Sequence, residues 1–497
     1  MSRSTLALAV ALCAAALPAR ADYMDHFVVR DDVGIHKAPY LGNAELLVIV
    51  LEVEDQKPVD VARLYDFFTG TGPDGFVSYM QTVSLGRYKP HVTIGPTVRY
   101  PTCPLPQFPN CRVARGDIAA FAAGIDMIRE AVRRMNTEGD GFDFSKLDVN
   151  GRRGTADGWA DGVMLITNVA FGGIAFPFGY YNRGDNLSGG TGGPLIVDGV
   201  KIGHVAIAGY DDVYTMVHEF GHLQGLTDLY AENNSYPGLQ FSVMGSWLYD
   251  SNMPLHDAET RFRLRWANWH QVQGRQRVVI RPAETSGEVW RLGIGNEYFL
   301  VENRGPGQFD RSFTTRGLAV YHVDRSGLRG EEGRFQDRLL NCVNCDKWRP
   351  FILNLQGDGK FELQKDDTAK VNYEDDLFRD GDSLGEDKSG MPLSEAHQVA
   401  STNWYSGQPS GISISEIQVR DDGNIVATLE APSSGQCADT LCAEGEGCFP
   451  ITCEHPGASS AGGCGCSGSP GVLFGALGLL LLEQRLRRRQ ERVLRRA

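Results

Sequence analysis

The chain has no surplus of positive charge: 48 Lys and Arg stand against 62 Asp and Glu, a formal net charge of −14 over 497 residues. A body that acidic repels phosphate backbones, which excludes nucleic acid as the principal partner. There is also no apolar run of the about 20 residues that a stable membrane-spanning helix needs. The runs at residues 6–17 and 471–482 both stop at twelve, about 18 Å as helix against a hydrocarbon core of about 30 Å. Internal repeats of fixed period are missing too.

What remains is a globular, loop-rich composition, 42% hydrophobic and 22% charged with 59 glycines, long enough for more than one domain. Arg3, the apolar run and the small-x-small site Ala19-Arg20-Ala21 predict a signal peptide over residues 1–21, removed on export. Apart from Cys13, ten cysteines remain, in local clusters at 103/111, 342/345, 437/442/448/453 and 464/466. An even number in an exported chain predicts disulfides. Cys103 and Cys111 would close a surface loop, and CVNC at 342–345 would form a tight bridge; pairing in the third cluster is open. Residues 433–466 read as a Cys/Gly/Ser-rich stalk. Residues 467–497 read as a hydrophobic segment with an Arg-rich end, which positive charge would keep cytoplasmic. This tail predicts contact with a membrane at the cell surface or outer envelope, or release after C-terminal processing.

Between these addresses the pattern predicts an α+β chain. A short segment, 22–42, precedes a first domain over 43–270. In it ELLVIVLE and DGVMLITNVAFGG read as buried strands, and 117–137 as a helix behind Asp117. From 271 to 432, short runs such as RQRVVIRP, YFLVENR and GLAVYHVD lie between Gly, Pro, Asn and Asp. That texture predicts an all-β, sandwich-like domain.

The chemistry concentrates in residues 213–230, VYTMVHEFGHLQGLTDLY. Asp211 or Asp212 can cap a helix that Gly225 ends. On it His218 and His222 are one turn apart and share a face, so two neutral imidazoles can bind one zinc ion. Glu219 is angled toward the water such an ion activates, as general base for peptide hydrolysis. A catalytic zinc takes a third protein ligand. Glycine at 225 frees the chain to turn, and Asp228 can then swing back to the metal; Glu232, on a longer loop, is the competing third ligand. H-E-x-x-H-x-x-G-x-x-H is the metzincin signature, here with Asp at the last position. Met244 in FSVMGSW offers the methionine turn of that clan. The bland alternative is an amphipathic helix with two surface histidines.

HEFGHLQGLTDLY, SVMGSW and MPLHDAETRFRLRWANW resemble the immune-inhibitor-A-type secreted metallopeptidases. VSYMQTVSLGRYKP, EYFLVENRGPGQFD, GLAVYHVD and STNWYSGQPSGISISEI extend the similarity over most of 43–431. The resemblance implies a metzincin-like zincin catalytic domain, a β-sandwich and endopeptidase activity. It implies His218, His222 and Asp228 as zinc ligands, Glu219 as base and Met244 beneath the site. Thr227 and Ala231 depart from the family's proline and acid, which implies a shifted loop. The family's calcium-like turn is here stretched to DVNGRRGTADGWADG. Asp148, Asn150, Asp157 and Asp161 offer oxygens for Ca2+, which Arg152 and Arg153 oppose. The residues between the signal peptide and ELLVIV contain no cysteine that could block a zinc. The end of the chain resembles the myxobacterial-type C-terminal sorting signal, which implies processing near Cys464 and Cys466 by sorting machinery.

The leading expectation is therefore an exported, surface-tethered zinc endopeptidase acting on proteins or peptides. A surface adhesin on a catalytically silent zincin scaffold is the alternative, and hydrolysis of a non-peptide amide or ester by the same chemistry is a third reading. Cleavage preference, latency and oligomeric state are not legible in the chain.

Overall fold

Leu46, Val48 and Val50 face one apolar cluster while Leu47, Ile49 and Leu51 face another. Such a strand, buried on both faces, is what an unbroken apolar run makes in the middle of a parallel sheet. This strand, β1 (Gly42–Val53), is central to a six-stranded sheet. The computed structural model describes residues 37–70, 72, 74–100, 118–137, 141–151, 155–169, 173–177, 194–230, 239, 241–245, 253–325, 346–365 and 375–433. The signal peptide, most of segment 22–42, Cys103, Cys111, Arg152, Arg153, Ala231, Glu232, Cys342, Cys345, nearly all of the stalk and the C-terminal tail lie outside the described residues.

β2 (Tyr88–Ile94), β3 (Val98–Tyr100) and β4 (Gly162–Thr167) pair parallel with β1. β5 (Gly173–Pro177) follows β4 in the chain. The hairpin β6 (Leu195–Val197) and β7 (Val200–Ile202) stands apart as its own sheet. β8 (His204–Gly209) lies parallel to β4, and β5 closes the edge antiparallel to β8. The strand read from sequence in the run 161–173 is β4, and β5 begins at the last residue of that run. Asn168 turns the chain away after β4: its amide donates to the carbonyls of Val53 and Lys57 and accepts the Val53 N–H.

Two short helices, Val61–Thr69 and Phe76–Val83, were not anticipated; they pack Phe67, Phe68, Phe76 and Tyr79 into the first cluster. The expected long helix, Ile118–Thr137, covers the opposite face with Met127, Ile128, Ala131, Val132 and Met135 at helical spacing. On the first face, Ala206 and Ala208 of β8 leave room for the helix Val213–Leu223, which buries Met216, Val217, Phe220 and Leu223 there. Each such large side chain stabilises the fold by about 1.5–3 kcal/mol when fully buried.

In the second half every expected run forms a strand. β9 (Asn268–Gln271) and β10 (Gly274–Ile280) lead into β11 (Glu288–Leu292), β12 (Glu297–Arg304), β13 (Gly317–Asp324) and β14 (Ile352–Leu355), with β15 (Ser413–Val419) and β16 (Ile425–Ala431) last. They form a five-stranded sheet, β14-β13-β12-β11-β9, and a three-stranded sheet, β10-β16-β15. Phe299 and Val301 of β12 face a cluster shared with the three-stranded sheet, whereas Tyr298 and Leu300 face the cluster that holds the helix Val213–Leu223. That cluster runs from Ala38 to Leu377, and the described residues belong to one compact unit. The chain is therefore a mixed α and β structure, with four separate sheets among the described residues. Among the described residues no helix is long and apolar enough to cross a membrane.

Candidate metal centre

The helix Val213–Leu223 begins where Asp212 accepts the Thr215 N–H, a side-chain N-cap. It ends in a left-handed glycine turn. Gly225, at φ +82°, donates to the His222 carbonyl at 2.8 Å, and Leu226 donates to Gly221 at 3.1 Å. The released Leu226 carbonyl then accepts His222 Nδ1–H at 3.1 Å. The N-terminal strap closes the same end: Ala38 donates to the Leu223 carbonyl at 2.7 Å, and the Lys37 side chain fills the space over Gly225.

His218 donates Nδ1–H to the Val243 carbonyl at 2.9 Å. A carbonyl cannot donate, so both histidines carry their proton on Nδ1, and as neutral rings they present Nε2 lone pairs. These two nitrogens lie 3.2 Å apart. Asp228 Oδ1 lies 2.9 Å from the first and 3.5 Å from the second. Ligands about 2.0–2.1 Å from one tetrahedral zinc stand roughly 3.3 Å from each other, so three donors at these separations fit that ion. Without a shared cation, facing lone pairs and a carboxylate, all buried, would repel. Glu219 is buried on the same cluster with Oε2 at 3.9 Å from His222 Nε2. The longer distance separates its role from that of Asp228.

The turn 241–245 lies under these groups. Met244 is fully buried, and its sulfur occupies the room left at Gly221, where an added Cβ would come within 2.5 Å of it. Its carbonyl accepts the Leu229 N–H at 2.8 Å, which anchors the residue after Asp228. Ser242 donates to the Asp257 carboxylate at 2.7 Å, and Arg304 donates to the Phe241 carbonyl at 2.8 Å. Thr227, the departure noted in the sequence, bends its hydroxyl to the Asp228 carbonyl and takes no part in the donor set. Tyr214, Gly173, Gly221 and Arg304 escaped the sequence reading. A tyrosine four residues before the first histidine was the one signal available, since it shares the helix face.

Gly173 of β5 brings backbone against Glu219: a Cβ there would lie 2.1 Å from Glu219 Oε1 and 2.3 Å from Thr215 Cγ2. With Glu219 as the general base expected from the sequence, Gly173→Ala should leave zinc affinity near wild type and lose at least about ten-fold in kcat, because displacing such a group by a fraction of an ångström is costly. Unchanged kcat would show that this approach has no bearing on turnover.

The four residues considered for calcium share one loop, but their oxygens already take N–H groups. Asp148 accepts from Asp157 and Gly158, Asp157 from Trp159, and Asn150 from Gly151. Asp161 accepts from Glu45 and Asn150. None of them belongs to a group of acidic or histidine side chains close enough to share an ion among the described residues. Burial pushes the Asp161 carboxyl up to about 7. The native state therefore holds a proton that the unfolded chain releases near 4, and this contribution to stability is present at low pH and lost as pH rises toward 7. Asp161→Asn should flatten that part of the stability profile; an unchanged slope in denaturant titrations between pH 4 and 8 would overturn the assignment.

A second acidic group, Asp358, Glu362 and Asp376, also comes within ion-sharing distance, with Lys360 Nζ 2.6 Å from Asp358 as its counter-charge.

A scan against protein-family models finds no match to this chain, and a search of curated proteins finds none either.

Proposed function

We propose that the chain is an exported zinc endopeptidase of the immune-inhibitor-A type, with a metzincin-like catalytic half over 43–270 and a β-sandwich-like half over 271–432. The observation that carries the reading is the convergence of His218 Nε2, His222 Nε2 and Asp228 Oδ1 within 3.5 Å of one another. Both imidazoles are locked by backbone carbonyls into the tautomer that ligates, the usual outer support of metal-binding histidines. Export and surface tethering rest on the sequence alone.

Zinc, when bound, supplies a Lewis acid that activates water and polarises a carbonyl. The chain's own residues do the rest. His218 and His222 offer neutral nitrogen, and Asp228 brings one negative charge toward the dication. Glu219, buried and next to the ligands, takes the proton of the attacking water and passes it to the departing amine. β5 is the edge strand, with β8 its neighbour among the described residues. An extended peptide added along such an edge uses main-chain hydrogen bonds and needs no particular side chains. Laid beside Gly173, its backbone would pass the Glu219 carboxylate.

The test is metal analysis of the purified full chain together with hydrolysis of an unstructured protein, with and without chelator. About one zinc per chain and chelator-sensitive cleavage are expected. A chain that cleaves no protein, with zinc or without it, would favour the adhesin alternative, and one that binds no zinc would end the endopeptidase reading.

A further inference from the structure

We propose that Tyr214 is a positioning residue for His218, acting through the Val243 carbonyl; the proposal rests on the zinc reading and deepens it. Tyr214 stands one helical turn before His218, so both side chains rise from one face of the helix. Its ring stacks on the imidazole at 6.1 Å between centroids and 27° between planes. Its hydroxyl donates to the Val243 carbonyl at 2.8 Å, the oxygen that also receives His218 Nδ1–H at 2.9 Å. A carbonyl oxygen has two lone pairs, so the two donors saturate it.

That oxygen sets the tilt of the His218 ring, because the Nδ1–H must follow it. Val243 lies in the turn below the site, and the phenol ties this turn to the helix at the same point as the ligand. With the hydroxyl removed, one of the two bonds to the Val243 carbonyl is gone, and the imidazole can swing with that oxygen. Nε2 then leaves the position it shares with His222 and Asp228. Packing cannot explain the hydroxyl, since Tyr214 lies in an apolar cluster where phenylalanine would serve equally well. A buried hydroxyl is tolerated where it has a partner, and the partner here is the carbonyl that orients a ligand.

Tyr214→Phe keeps the ring and removes the hydroxyl; Tyr214→Leu removes both. Three quantities would be measured on the full chain: zinc affinity by chelator competition, the visible spectrum of the cobalt-substituted protein, and the thermal midpoint of the metal-free protein. For Tyr214→Phe we expect zinc binding weakened about ten-fold, at the lower end of losses from outer-shell changes, with an altered cobalt spectrum and a metal-free midpoint close to wild type. Tyr214→Leu should bind more weakly still. Wild-type zinc affinity and spectrum in Tyr214→Phe would overturn the proposal, and so would a lowered metal-free midpoint with unchanged affinity. Absence of zinc binding by the wild-type chain would instead strike the reading on which the proposal rests.

Discussion

Glu219→Gln should retain zinc and lose about 10²–10⁴ of the hydrolytic rate, the range ascribed to a positioned general base. The amide is nearly the same size as the carboxylate, so it fits the space bounded by Gly173 and Thr215. It cannot accept a proton at neutral pH, however. His218 and His222 keep their carbonyl partners in this variant, and Leu229 keeps the bond that anchors the residue after Asp228, because none of those bonds passes through Glu219. Retained metal with lost activity separates base from ligand. His222→Ala, in contrast, should lose both together. If Glu219→Gln cleaved protein at the wild-type rate, the proton would have another acceptor and the assigned mechanism would be wrong.

The second large effect is expected outside the candidate ligand set. Arg304 on β12 is fully buried and donates through Nε and Nη2 to Asp310 at 2.5 and 2.7 Å, and through Nη1 to Glu302 at 3.0 Å. Arg261 pairs with the other oxygen of Glu302, and the Tyr321 hydroxyl donates to the first at 2.7 Å. Two guanidiniums thus balance two carboxylates. Burial would lower the Arg304 guanidinium, but Asp310 and Glu302 outweigh it and hold it well above its ordinary value. Arg304→Met leaves Asp310 and half of Glu302 without their cation in an apolar interior, at a cost of about 3–5 kcal/mol. Denaturant titration should show the loss directly. Replacing Asp310 as well, by Leu, should restore part of it, since an intact buried ion pair is often matched by apolar residues of similar volume. Wild-type stability in Arg304→Met would mean that the network contributes nothing. The same substitution removes the donor to the Phe241 carbonyl, so zinc affinity should fall with stability. The β-sheet half is, on this view, part of the support of the metal centre.

The candidate site was legible to an unusual degree because its parts are local. H-E-x-x-H places two imidazoles on one face by helical periodicity alone, and Gly225 announced the left-handed turn that aims Asp228 back. The helix cap at Asp212 and the end of the helix followed from the same few residues. Strand runs were legible where both faces are buried, as at Leu46–Leu51 and Phe299–Val301, since no polar residue interrupts them. The helices at Val61–Thr69 and Phe76–Val83 were not, because nine or fewer residues give too little periodicity. Which oxygens of the loop 148–161 take its own N–H groups is something the sequence could not reveal.

Residue identity and spacing by themselves determined which side chains could ligate, in what order they stand on the helix and where that helix ends. Only the tertiary structure decided that Val243 receives both Tyr214 and His218, that β5 brings Gly173 against Glu219, and that Arg304 supports the turn from a different sheet. The physical reason is range. Helical spacing and glycine turns act within a few residues of the chain, whereas a carbonyl acceptor or a close backbone approach depends on segments that meet only when the apolar clusters form.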